Sequence, residues 1–219
     1  MAMDGDGGKL RKALAEARLY VLLATDLCRQ SVPETARLAI RGGAEMLQLR
    51  AKDRDMPDGE FLKLALELRE LTGEFGTIFI INDRPDIAVK AGADGLHIGQ
   101  EDIPVEEARQ LLGSDGLIGV SAHNVRQARQ AQARGADYLG IGPIFPTGTK
   151  THARPVGTQL IEQVMGEIDI PFFAIGGIDT GNIREVLDAG ATRVAVCSAI
   201  VSQEDVLGAT RALGRELIR

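Results

Sequence analysis

The sequence has no tryptophan, two tyrosines and six phenylalanines, too few aromatics to build the stacking platforms that hold single-stranded nucleic acid. A basic excess is missing as well. Its 25 Lys and Arg face 31 Asp and Glu for a net charge of -6, whereas nucleic-acid binding usually shows a positive footprint. No nucleic-acid partner is expected, although a local basic site remains compatible with this balance. No apolar run reaches the roughly eighteen residues of a membrane span, and the N-terminus lacks the order of a signal peptide. No membrane partner is expected either. The two cysteines, Cys28 and Cys197, are far apart and show neither metal-ligand nor redox spacing. They read as small apolar residues of a reduced, cytoplasmic protein.

Glycine, in contrast, is abundant at 26 residues, and much of it recurs in one context. Gly43-Ala44-Glu45, Gly92-Ala93-Asp94, Gly135-Ala136-Asp137 and Gly190-Ala191-Thr192 each precede an apolar run, as a helix C-cap followed by a strand would. Eight apolar runs alternate with amphipathic segments: Leu19 to Thr25, Met46 to Ala51, Ile78 to Asp83, Gly95 to Gln100, Leu117 to Ala122, Tyr138 to Phe145, Phe172 to Ile178 and Arg193 to Ala199. Strict alternation of this kind indicates βα units around a parallel sheet. At about 27 residues per unit, the 219 residues fit a compact α/β protein of the (β/α)8 TIM-barrel class, whose usual size is about 250 residues. A doubly wound sheet is the alternative, but the glycine fingerprint expected after its first strand is missing, since Asp26-Leu27-Cys28-Arg29 stands there. Residues 1–8, rich in Gly and Asp, read as a disordered tail, and 9–219 as one catalytic domain.

Barrels of this kind carry their sites where strands end at the C-terminal face. On the second strand Gln48, Arg50 and Lys52 recur with a period of two, so they share a face, and that face must be the interior because apolar helices cover the outside. Two interior cations call for an anionic partner, either carboxylates within the barrel or a ligand. The third strand ends in Asn82-Asp83 and the fourth runs into Gln100-Glu101-Asp102. Each aspartate alone could cap a helix, since Pro85 and Pro104 follow closely. Together, beside the cationic strand, they offer what Mg²⁺ needs: one or two carboxylates, completed by substrate phosphate and water. The fifth strand ends in Ser121-Ala122-His123. The sixth leads into Thr147-Gly148-Thr149-Lys150-Thr151, a loop of hydroxyls, amides and an ammonium suited to phosphate oxygens or, alternatively, an ordinary solvated surface loop. Gly176-Gly177 and Cys197-Ser198 end the last two strands, where such barrels commonly hold phosphate. His97 alternates with Leu96 and Ile98 and so faces either the interior site or a satisfied core; His152 needs no special role.

In order along the chain, Gln48-Leu-Arg-Ala-Lys52, Ile81-Asn-Asp83, Ala91-Gly-Ala-Asp-Gly-Leu-His-Ile-Gly-Gln-Glu-Asp102, Gly119-Val-Ser-Ala-His123, Tyr138-Leu-Gly-Ile-Gly-Pro-Ile-Phe-Pro-Thr-Gly-Thr-Lys150, Ala174-Ile-Gly-Gly-Ile178 and Val196-Cys-Ser198 resemble the thiamine-phosphate synthase (thiamine-phosphate pyrophosphorylase) family. The resemblance implies a Mg²⁺-dependent transferase that joins a pyrimidine methyl diphosphate to a thiazole ethyl phosphate and releases diphosphate. It implies that Arg50, Lys52, Asn82 and Lys150 hold the diphosphate, Asp83 and Asp102 the metal, and Gln48 and Ser121 the pyrimidine. Thr147, Gly148 and Thr149, with Gly177, Cys197 and Ser198, would hold the thiazole and its phosphate. The family usually has an acidic residue where this chain has Ala51, a position that strand alternation turns away from the site. A related thiazole tautomerase would not need Asp83, Asp102 or Lys150, and a non-catalytic phosphate sensor would be expected to have lost part of this set. The partners expected are small molecules; a homo-oligomer is compatible with the sequence.

Overall fold

The computed structural model describes residues 6–51, 56–148 and 154–218. Strands β1 (Leu19–Ala24), β2 (Met46–Arg50), β3 (Ile78–Asn82), β4 (Gly95–Ile98), β5 (Leu117–Ala122), β6 (Tyr138–Ile141), β7 (Phe172–Ile175) and β8 (Val194–Val196) are parallel and close into a barrel in chain order. Helix α1 (Asp6–Glu16) precedes the first strand. Helices α2 (Val32–Gly42), α3 (Asp58–Phe75), α4 (Pro85–Ala91), α5 (Val105–Leu112), α6 (Val125–Ala133), α7 (Gln159–Met165) and α8 (Ile183–Asp188) connect the strands, and α9 (Ser198–Val201) and α10 (Val206–Ile218) follow the last one. The (β/α)8 barrel expected from the alternation is the fold of the chain.

Two expectations need correction. The disordered tail expected over 1–8 does not extend that far, because Gly7 and Gly8 already belong to α1, whose Leu14 finds apolar partners inside the barrel. Several strands also stop short of their apolar runs. The sixth ends at Ile141 rather than Phe145, since Pro143 has no N–H for the ladder. The seventh ends at Ile175, where Gly176 and Gly177 turn to positive φ.

Alternation along each strand produces two cores. Val21, Leu23, Leu47, Leu49, Phe79 and Ile81 point outward and pack under the helices. Tyr20, Leu22, Met46, Ile80, Tyr138 and Phe173 point inward and fill the lower barrel, with Leu14 of α1 and Ala17 just after it closing its floor. Tyr20, Tyr138 and Phe173 meet edge to face at centroid distances of 5.3 to 6.0 Å, a favoured aromatic arrangement.

The glycine punctuation has a second half at this floor. Gly43, Gly92, Gly135 and Gly190 all take positive φ, as helix-ending glycines do. At the first three, the acid that follows reaches back to the preceding strand. A Glu45 carboxylate oxygen accepts the N–H groups of Arg18 and Leu19 at 2.6 and 3.1 Å, Asp94 accepts that of Phe79 at 2.8 Å, and Asp137 that of Ile118 at 2.9 Å. Arginines complete the set: Arg69 lies 3.4 Å from Asp94, and Arg11 and Arg109 lie 2.9 and 2.5 Å from Asp137. Each acid thus satisfies a strand-start N–H that the parallel ladder leaves without a partner. Burial nevertheless pushes the Asp94 carboxyl above its ordinary range, against the pull of the Phe79 N–H and Arg69.

Candidate active site

At the opposite end, the mouth, the interior face turns polar. Gln48 is almost fully buried at 1 % exposure, and Arg50 sits half-buried two residues further up the same face. Ala51 packs against the outer core, away from the site as alternation requires. Asn82 ends β3 and its Nδ2 donates to Asp83 Oδ2 at 2.5 Å. Asp83 has φ 56, a left-handed conformation uncommon for a residue with a Cβ, while its N–H still donates to the His97 carbonyl at 2.9 Å. Asp102 Oδ2 accepts the Gly99 N–H at 2.6 Å. Neither aspartate caps a helix: the N-cap residues of α4 and α5 are Arg84 and Pro104, without side-chain cap bonds.

His97 faces inward and is bonded on both ring nitrogens, Nδ1 to the Tyr138 hydroxyl at 3.2 Å and Nε2 to Ser121 Oγ at 3.0 Å. Gln100 Nε2 donates to the Ser121 carbonyl at 2.7 Å, tying the β4 loop to β5. His123 is a turn residue: its Nδ1 contacts the Gly142 carbonyl and its N–H donates to Gln127 Oε1 at 2.7 Å. Burial pushes both thiols, Cys28 and Cys197, up to about 11, so each remains protonated at neutral pH and neither is an activated nucleophile.

These elements enclose a cavity in the barrel mouth. Of the residues singled out from the sequence, Gln48, Arg50, Asn82, His97, Ser121, His123, Thr147, Gly176, Gly177, Cys197 and Ser198 line it. A second, more open cleft adjoins it and shares Thr147, Gly177, Ile178 and Ser198, with Gly148 on its wall. Asp83 and Asp102 are exposed on the rim, not among the lining residues of either cavity. Lys52, Thr149, Lys150 and His152 lie outside the described residues. Two tyrosines at this site escaped sequence reasoning. Tyr20 lines the cavity and Tyr138 backs it through His97; the only signal was that the chain's two tyrosines both fall on inward positions of strands.

Among the described residues no helix is long and apolar enough to cross a membrane, and no group of three or more His, Cys, Asp or Glu could hold a metal by itself. A sequence model described as thiamine monophosphate synthase matches residues 19–200. Thiamine-phosphate synthases of Coprothermobacter proteolyticus and Methanocella arvoryzae are 45% and 48% identical over 203 and 197 residues. Those matches take in 92% and 89% of this chain and 94% and 92% of theirs. The solved thiamine phosphate pyrophosphorylase of Pyrococcus furiosus superposes with a TM-score of 0.85 at 36% identity, over 95% of this chain and 98% of that one. With a family match across most of its length and a shared barrel, the chain belongs to the thiamine monophosphate synthase family.

Proposed function

We propose that the chain joins 4-amino-2-methyl-5-(diphosphooxymethyl)pyrimidine to 4-methyl-5-(2-phosphooxyethyl)thiazole, giving thiamine phosphate and diphosphate. The observation that carries this reading is the continuity of the two cavities through Thr147, Gly177, Ile178 and Ser198. A bisubstrate site needs two compartments with an open boundary where the new bond forms, so that the reacting atoms are held together. Gln48 and Ser121 offer polar atoms to the pyrimidine in the mouth. Arg50 and Asn82 receive the diphosphate, joined by Lys52 and Lys150. The hydroxyl of Thr147 and the backbone at Gly177, Cys197 and Ser198 take the thiazole and its phosphate, with Gly148 and Thr149 on the same loop.

Asp83 and Asp102 fit Mg²⁺ in donor type and placement. They are hard oxygen donors at the ends of adjacent strands, exposed to a ligand, and two carboxylates completed by phosphate oxygens and water are a common Mg²⁺ shell. The ion supplies charge neutralisation for the departing diphosphate. Arg50 and the two lysines stabilise the same developing negative charge from fixed positions, and no protein nucleophile is required. The displacement is therefore dissociative: the bond from the pyrimidine methylene to the diphosphate oxygen breaks largely before the thiazole nitrogen bonds to that carbon. An electron-withdrawing substituent on the pyrimidine should slow turnover; an unchanged rate would rule this order out. We place the reaction in the cytoplasm, in keeping with two free thiols.

The test mixes the purified protein with both substrates, with and without Mg²⁺, and follows thiamine phosphate after oxidation to its fluorescent form. Product that requires Mg²⁺ and falls at least about a hundredfold in Asp83→Ala is the expected result. Absence of product while thiazole phosphate still binds would overturn the reading in favour of an isomerase or sensor on the same phosphate site.

A further inference from the structure

Asn182 stands at the N-cap position of α8, where an asparagine side chain ordinarily bonds forward to the first N–H groups of its helix. Here it makes no cap bond and reaches back along the chain instead. Its Nδ2 donates to the Gly177 carbonyl at 2.7 Å, and its Oδ1 accepts the Asp179 N–H at 2.9 Å. A backbone carbonyl can only accept and a backbone N–H can only donate, so these two partners fix which end of the amide is which. Asn182 itself lines neither of the two cavities. Gly177 and Ile178, on either side of the peptide it holds, line both.

The Gly176-Gly177 turn needs such a hold. Its φ values are 100 and 65, and a Cβ at Gly177 would lie 2.4 Å from the Pro146 carbonyl oxygen and 2.9 Å from Phe145 Cβ. The missing side chain that permits this close approach also leaves the turn free to rotate. Gly176 is held by its carbonyl, which accepts the Phe145 N–H at 3.0 Å, and Asn182 does the same for Gly177. The Gly177–Ile178 peptide is trans, so its carbonyl and its N–H point in opposite directions. With the carbonyl drawn towards Asn182, the Ile178 N–H is turned away from it. Ile178 is only 3% exposed, and neither its N–H nor that of Gly177 has an acceptor among the described residues. Buried N–H groups are almost always paired, so a ligand that lines up with these two supplies what the fold does not. The turn also seats the loop after β6, because Thr147, which lines both cavities, follows Pro146 directly.

Building on the function proposed above, we infer that Asn182 is a positioning residue: by holding the Gly177 carbonyl it aims the Ile178 N–H, beside that of Gly177, at the phosphate of the thiazole substrate. Its effect is specific to that phosphate. A turn that keeps its fold but lets this peptide rotate still admits the thiazole ring. It also leaves undisturbed the pyrimidine diphosphate, which Arg50 and Asn82 receive on the other side of the mouth.

The experiment compares Asn182→Ala and Asn182→Asp with the wild type. Calorimetry measures binding of 4-methyl-5-(2-phosphooxyethyl)thiazole and of its alcohol, 4-methyl-5-(2-hydroxyethyl)thiazole, and steady-state assays give KM for both substrates. Aspartate keeps an oxygen for the Asp179 N–H and can cap α8, but has no proton for the Gly177 carbonyl. Alanine loses both bonds and adds no charge. Both variants should bind the thiazole phosphate about five- to tenfold more weakly, with the alcohol and the KM for the pyrimidine diphosphate within about twofold of the wild type. A residue that only supports the helix predicts an aspartate variant like the wild type, and that result overturns the inference. A loss confined to the aspartate variant, which would be its charge acting on the phosphate, overturns it too, as does equal weakening towards phosphate and alcohol. If urea titration shows that Asn182→Ala does not fold, Asn182→Ser, a neutral and shorter side chain, takes its place. Thiamine phosphate formation by the wild type reports separately on the reaction, so a failure of the function is distinguishable from a failure of the positioning role.

Discussion

The two ends of the barrel use the same residue type in opposite ways. At the floor, Asp94 and Asp137 are met by backbone N–H groups and arginines of their own chain, and the Asp137 side chain is only 9% exposed. At the mouth, Asp83 and Asp102 stand exposed, with short-range partners such as Asn82 and the Gly99 N–H. A carboxylate whose charge is answered within the fold contributes to stability. One held at the rim in a left-handed conformation, like Asp83, adds a local cost that a ligand can offset. The position of an acid relative to its strand, before the first residue or after the last, therefore separates scaffold from site in this molecule.

The contrast can be broken by exchange of effects. Asp137→Ala should cost the most, about 3 kcal/mol of unfolding free energy, because it strips partners from Arg11, Arg109 and the Ile118 N–H together. Urea titration measures it, and turnover per folded molecule should hold near the wild-type value. Asp83→Ala should show the reverse pattern. Were Asp137→Ala to keep its stability and lose activity, the division between floor and mouth would fail.

A smaller effect tests an ion-pair group on the mouth side. Arg84 lies 2.9 and 2.8 Å from Asp58 and Asp86, and holds the Asp86 carboxyl below its ordinary value. A depressed acid contributes stability above its unfolded pKa and loses it as pH falls through the folded one. The stability difference between wild type and Arg84→Ala should accordingly be present at neutral pH and vanish on acidification below about pH 4. Because these groups are largely solvated, its size should stay under about 1 kcal/mol. A difference that grew in acid would contradict the assignment. Smallest of all, Ala51→Glu should leave turnover within a few-fold, since this position packs outward; a larger loss in a steady-state assay would mean that the outer face reaches the site.

Much of this was legible in the sequence. Strand alternation placed Gln48 and Arg50 inside and Ala51 outside, and the Gly-Ala-acid punctuation marked where helices end and strands begin. What the acids of that punctuation do was not legible, because Asp94 and Phe79, or Asp137 and Ile118, are brought together only by strand pairing. No local spacing encodes it. The tyrosines were missed for the same reason: each hydroxyl finds its partners on other strands across the barrel. Strand ends were read too long because apolar runs continue into loops that also bury side chains, such as Ile144 and Ile178. The cap role open to Asp83 and Asp102 was a matter of turn geometry, and the chain spent Arg84 and Pro104 at those helix starts instead.

Helix α1 and the residue after it, with Leu14 and Ala17 seated against the inward residues of the lower barrel, make the interior a blind tube. Whatever enters has one doorway. Under the function proposed above, both substrates reach their compartments, and the product leaves, through that one mouth. The direction of traffic is thus set by a helix that precedes the first strand and lines neither cavity.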